Sequence, residues 1–111
     1  MGSILSGNGA SAGTANGAAR LIHGPDEFGR FQGGDVLVCR TTDPAWTPLF
    51  GIAAAVVTET GGTLSHAAIV AREFGIPAVL GVRGAMELLT DGIPLSVDGT
   101  FGTVEYPAVT E

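Results

Sequence analysis

Three short apolar runs constrain this chain more than any other feature: Asp35-Val36-Leu37-Val38-Cys39, Ala53-Ala54-Ala55-Val56-Val57-Thr58 and Ala78-Val79-Leu80-Gly81-Val82. Near-continuous apolar runs of this length, bounded by glycine or charge, predict strands buried on both faces. Helix signals fall between them. In Thr42-Asp43-Pro44, Asp43 suits an N-cap and Pro44 the first helical position, which predicts a short helix through Phe50. A second helix is predicted from about Ser65 to Phe74. Gly75 can take the left-handed position after it, Ile76 can pack back, and Pro77 cannot continue the helix. Helices alternating with buried strands give a layered α/β domain, and 111 residues hold one such domain, covering 1–111.

The remaining segments carry weaker signals. Gly7-Asn8-Gly9-Ala10-Ser11-Ala12-Gly13 reads as an opening loop, because small and conformationally permissive residues favour neither helix nor packed strand. Ala15–Ile22 is a weak strand candidate and Pro25–Phe31 a short helical turn. A short helix near Ala85–Leu89, a strand at Ile93–Val97, a turn at Asp98-Gly99 and a strand at Thr103–Tyr106 follow. Pro107 to Glu111 reads as a frayed end or severed linker.

Charge narrows the classes of partner. Eleven acidic residues face five basic ones, all arginine, for a net charge of −6. A nucleic-acid footprint needs a basic face, and an anionic membrane attracts one, so neither partner is expected. The single cysteine, Cys39, cannot form an internal disulfide or a cysteine-based zinc site and reads as a small core thiol. No signal-peptide pattern opens the chain, and the longest apolar run, Ile52 to Val57, is far short of a membrane span. The expectation is a soluble, cytoplasmic protein.

The chemistry concentrates in the segment from Thr58 to Glu73, which reads strand, Gly61-Gly62 turn, then helix with His66 in its first turn. A helix start presents free N–H groups and the positive end of the macrodipole, which suits an anion. The same field favours a neutral imidazole with one free lone pair, and neutral imidazole is a nucleophile. If His66 attacks a phosphoryl group, the helix start stabilises the product oxygens, and Ala67 and Ala68 are expected to leave room for a donor. Arg72, six residues on, is nearly two turns from His66 and is expected to pair with a carboxylate or meet a partner surface. Competing readings are bland. A helix-start histidine is commonly a cap or a surface residue. A metal site is poorly supported, since His23 is the only other histidine and no ligand pair is suitably spaced. Ser65 and His66 do not form a nucleophile–base pair, because adjacent helical residues do not face each other. Gly7-Asn8-Gly9 lacks the strand and helix that a phosphate-binding loop requires.

The run Gly61-Gly62-Thr63-Leu64-Ser65-His66-Ala67-Ala68-Ile69-Val70-Ala71-Arg72-Glu73-Phe74-Gly75-Ile76-Pro77-Ala78-Val79 resembles the signature of the phosphohistidine swivelling, or mobile, domain of phosphoenolpyruvate-utilising enzymes. These include phosphoenolpyruvate synthase, pyruvate phosphate dikinase, enzyme I of the sugar phosphotransferase system and rifampicin phosphotransferase. The likeness extends to Gly34–Val38, Thr42–Trp46, Asp98-Gly99 and Gly102–Val104, nearly the whole chain. The resemblance implies a single swivelling β/β/α domain. It also implies a phosphotransferase role in which His66 is the catalytic acceptor, relaying a phosphoryl group between an ATP or phosphoenolpyruvate site and an acceptor such as pyruvate or an antibiotic. It assigns Thr42 to a position that can hydrogen-bond the histidine ring, and places Gly61, Gly62, Thr63 and Ser65 in the supporting loop. Where the dikinases and synthases usually carry a regulatory threonine, this chain has Leu64, so threonine-directed regulation is not expected. By the same resemblance no cofactor is bound by this domain alone. ATP or phosphoenolpyruvate, with Mg, would sit in an ATP-grasp domain and an acceptor domain, in cis or in trans, for which 111 residues leave no room. The alternative is a non-catalytic swivel or docking module that kept the fold for interaction.

Overall fold

A computed structural model describes residues 2–107. Residues 108–111, read from sequence as part of a frayed tail, lie outside the described residues; Pro107 closes the last strand. In chain order the elements are β1 (Gly2–Ser6), β2 (Asn8–Ser11), β3 (Thr14–Leu21), a 3-10 turn (Pro25–Arg30), β4 (Val36–Cys39), a 3-10 turn (Pro44–Trp46), α1 (Thr47–Phe50), β5 (Ala55–Thr58), α2 (His66–Phe74), β6 (Ala78–Leu80), α3 (Ala85–Leu88), β7 (Pro94–Asp98) and β8 (Thr103–Pro107). The strands join in the order β1-β8-β7-β3-β4-β5-β6-β2. β3, β4, β5 and β6 are parallel where they pair, and the other pairings are antiparallel. β3 serves both halves: Thr14–Ala18 pair with β7, and Ala19–Leu21 pair with β4.

Two apolar clusters show how the layers stack. Val36, Val38, Ala55, Val57 and Val79 pack against Leu95, Val97 and Val104 of the antiparallel half. Leu37, Cys39, Val56, Ala78 and Leu80 face Trp46, Leu49, Phe50 and the α2 residues Ala67, Ala68, Val70 and Ala71. Period-two alternation along each central strand thus feeds a different core on each face. The result is a β/β/α arrangement with the parallel strands in the middle, which is why those strands read as unbroken apolar runs.

The opening segment departs from the sequence expectation. Residues 8–11 are not a loop but an edge strand on β6, with a register shift between Gly9 and Ser11. Gly2–Ser6 form a further strand, paired from Gly2 with Pro107 through Ser6 with Thr103. Propensity failed here because tertiary pairing supplies the hydrogen bonds. The glycines have a packing reason as well, since a Cβ on Gly9 would lie 2.5 Å from the Gly99 carbonyl oxygen. Among the described residues no helix is long and apolar enough to cross a membrane.

Candidate functional site

The parallel strands deliver three loops to one edge of the sheet. β5 is central, and from Thr58 the chain runs through Glu59-Thr60-Gly61-Gly62-Thr63-Leu64-Ser65 into α2. The loop is anchored on the neighbouring strand end. Glu59 donates its N–H to the Cys39 carbonyl at 3.1 Å, and Thr60 donates both its N–H and its Oγ1–H to the Arg40 carbonyl at 3.1 Å each. Gly61 has φ +107°, in the region that L side chains avoid, and its Cβ would sit 3.1 Å from Ser65 Oγ. Gly62, its partner in the sequence-predicted turn, has no such φ and open space around its Cβ position. The conformational need therefore falls on Gly61.

Ser65 is the N-cap of α2, and its Oγ accepts from Ala68 N–H at 3.4 Å while donating to the Gly62 carbonyl at 2.8 Å. His66 follows as the first helical residue and is half-buried. Its Nδ1 lies 2.8 Å from Thr42 Oγ1, and its ring stands edge-on to Phe50 with centroids 6.0 Å apart and an interplanar angle of 89°. Thr42 sits three residues past β4, held by the following turn in which Asp43 Oδ1 accepts from Ala45 N–H at 2.9 Å. Among the described residues nothing donates to or accepts from Nε2 of His66, which leaves that nitrogen free.

The sequence-predicted site residues divide. Thr42, Ser65 and His66 come together through hydrogen bonds, with Gly61 shaping the loop. Thr63 is exposed and makes no side-chain hydrogen bond among the described residues, and Leu64 beside it is 85% exposed. Ala67 and Ala68 do not clear a path for a donor; they are buried and let α2 lie close against the sheet. Arg72 pairs with no carboxylate among the described residues. It donates Nε to the Ala10 carbonyl at 2.7 Å, tying α2 to β2. Phe50 escaped sequence reasoning altogether, because nothing local marks an aromatic as the wall of a histidine 16 residues away. Cys39 is buried, and burial, reinforced by the charge of Glu59, pushes its thiol up to about 12. His23 is remote from this site and contacts Glu27 through Nδ1 at 3.0 Å. A cavity of about 770 Å³ on the antiparallel half, walled by Gly2, Asn16, Ser96, Glu105 and Tyr106 among others, includes none of the His66 site residues. No cluster of three metal-ligating side chains occurs among the described residues.

Comparison with known proteins places this geometry. The family described as "PEP-utilising enzyme, mobile domain" matches residues 31–102. The chain is 56% identical over 95 residues to an uncharacterized phosphotransferase of Bacillus subtilis, YvkC, covering 86% of this chain and 11% of that protein. It is 46% identical over 104 residues to a probable phosphoenolpyruvate synthase of Staphylothermus marinus, covering 92% and 12% respectively. A rifampicin phosphotransferase of a Streptomyces species is 46% identical over 101 residues, covering 91% and 12%. The chain thus spans 11–12% of the length of these relatives. Among solved structures, an Enzyme I protein in solution superposes with TM-score 0.61 at 31% identity, over 68% of this chain and 32% of that one. Aconitase X of Thermococcus kodakaraensis shares the fold, with TM-score 0.72 at 19% identity over 96% of this chain and 99% of that one. With residues 31–102 under the family signature and close relatives aligned along nearly its full length, the chain belongs to the mobile domains of PEP-utilising enzymes.

Proposed function

We propose that the chain is a phosphoryl carrier in which Nε2 of His66 takes a phosphoryl group from ATP or phosphoenolpyruvate held on a partner domain and passes it to an acceptor such as pyruvate or a small molecule. The observation that carries this reading is the 2.8 Å contact between Thr42 Oγ1 and His66 Nδ1. When Nδ1–H donates to Thr42, the lone pair sits on Nε2, the nitrogen without a protein partner. Attack forms the Nε2–P bond and breaks the donor's P–O bond, whose electron pair leaves with the donor oxygen. Positive charge that develops on the ring is shared with Thr42 through the Nδ1–H bond. The phosphoryl oxygens are favoured by the positive end of the α2 dipole. The edge-on Phe50 ring blocks rotation of the imidazole without competing for a proton.

An ATP-grasp domain and an acceptor-binding domain, in cis or in trans, supply the nucleotide, phosphoenolpyruvate and Mg. No step is assigned to a metal on this chain. The test uses phosphoramidate, a small phosphoryl donor that needs no partner domain, with the product followed by ³¹P NMR. One acid-labile phosphoryl group on Nε2 of His66 is expected, resolved by peptide mass from any label on the exposed His23, with none at position 66 in His66→Ala and normal labelling of His66 in His23→Ala. Thr42→Val is expected to slow uptake about tenfold, the worth of one hydrogen bond of ~1.4 kcal/mol, while Thr42→Ser retains it. Wild-type label that falls on His23 and not on His66 sinks the assignment. Wild-type protein that takes no label leaves the docking module as the better reading.

A further inference from the structure

The carrier role brings an anionic donor to a chain of net charge −6, which repels it overall. The five arginines meet this problem unequally. Arg20 and Arg30 are neutralised by Asp35, Asp91 and Glu27 at 2.7–3.6 Å, and Arg72 is committed to the Ala10 carbonyl. Arg40 and Arg83 are exposed, and neither guanidinium has a partner among the described residues.

Their places in the fold are not scattered. The strand leading into the His66 loop, β5, lies between β4 and β6; Arg40 directly follows β4, and Arg83 comes three residues after β6. Both neighbours are tied to the loop by backbone. Arg40 accepts twice from Thr60, Val82 donates to the Thr58 carbonyl at 2.9 Å, and the Cβ position of Gly81 is 3.4 Å from the Gly61 carbonyl oxygen. Arg40 itself and the residue before Arg83 are hydrogen-bonded to the 58–60 stretch, so both arginine backbones lie within a Debye length, ~10 Å, of the start of the loop and both fields reach it. Two carboxylates share this edge and keep their charge, Asp43 with an oxygen on Ala45 N–H and Glu59 with one on Met86 N–H, each at 2.9 Å, so recruitment rests on the two unpaired guanidinium groups and not on local net charge. This edge is also the carboxyl end of the parallel strands, where such sheets receive ligands.

We infer that Arg40 and Arg83 form two cationic flanks that recruit the phosphate-bearing donor to His66. The inference rests on the carrier reading and assigns the arginines to encounter and positioning, not to the bond-making step. Phosphoramidate labelling of the whole chain tests it. Arg40→Gln/Arg83→Gln should label His66 roughly three- to tenfold more slowly at about 20 mM ionic strength, and the gap should close at about 0.5 M. Arg40→Lys/Arg83→Lys keeps the charge and should keep the rate. Acylation of His66 by uncharged diethyl pyrocarbonate, resolved from His23 by peptide mass, should be the same in all three proteins. The inference is overturned if the glutamine variant labels at the wild-type rate in low salt, if the lysine variant is as slow as the glutamine one, or if acylation slows by the same factor as labelling. A wild-type chain that takes no label at His66, whatever the salt, refutes the carrier reading itself and is distinguishable from each of these.

Discussion

Gly61 and Gly62 look equivalent as letters, yet they hold different offices. At Gly61 the φ of +107° and the 3.1 Å approach of Ser65 Oγ to its Cβ position both exclude a side chain, whereas Gly62 meets neither limit. Gly61→Ala should therefore cost about 1–2 kcal/mol of stability. Gly62→Ala should stay within about 0.5 kcal/mol of wild type, as for an open surface site. Urea unfolding of the two variants side by side checks this, and equal losses would show that the loop needs both glycines for folding. The site was partly legible at this scale. His66 and its cap Ser65 are marked by position in a helix start, whereas the partner on Nδ1 is 24 residues upstream, and the family resemblance rather than local chemistry pointed to Thr42.

The α2 helix is the element that turns a loop histidine into a site, and its two ends are secured differently. At the start, Ser65 Oγ divides itself between the Gly62 carbonyl and a long 3.4 Å bond from Ala68 N–H. At the end, Gly75 adopts φ 71° and gives its N–H to Arg72, while Ile76 gives its own to Ala71. That double closure is the motif read from Gly75-Ile76-Pro77, and it depends on a residue without Cβ. Gly75→Ala should destabilise the domain by about 1 kcal/mol, measured as a shift in the denaturation midpoint, with His66 labelling by phosphoramidate unaffected. A variant that folds normally but labels slowly would mean that the far end of the helix positions His66. Arg72 belongs to this scale too, since its bond to Ala10 holds the helix against an edge strand that the sequence did not announce.

Across the whole molecule, one ionic cluster joins segments far apart in the chain. Asp91 accepts from Leu21 N–H at 2.8 Å and bridges Arg20 at 3.0 Å and Arg30 at 2.7 Å, so that β3, the first 3-10 turn and the loop before β7 meet on one carboxylate. Burial alone would raise the Asp91 carboxyl, but the Leu21 N–H and the two guanidinium groups outweigh it and hold it below its ordinary 3.8. Glu27 is likewise held below 4.5, first by the His23 N–H and then by the His23 ring. A depressed carboxylate favours the folded state when ionised, so its contribution is complete above the unfolded value and drains as pH falls through the folded one. Unfolding midpoints should therefore fall between about pH 5 and 2 more steeply for wild type than for Asp91→Asn. Parallel profiles would remove Asp91 from the account of acid sensitivity.

What the sequence determined by itself is whatever local chemistry can specify. The three apolar runs declare strands covered on both faces, Asp43-Pro44 and Ser65 declare helix starts, and Gly75-Ile76-Pro77 declares a stop. Only tertiary structure decided the rest. β1 (Gly-Ser-Ile-Leu-Ser) is too short to declare itself and β2 (Asn-Gly-Ala-Ser) lacks strand propensity, and they extend because β8 and β6 offer unpaired edges far along the chain. The family resemblance already pointed to the Thr42–His66 contact, but the committed Arg72 and the free Arg40 and Arg83 flanking β5 follow from strand order, which no window of sequence contains. Local signals fix what a segment can become; the hydrogen bonds and buried area that fix where it lies come from partners tens of residues away.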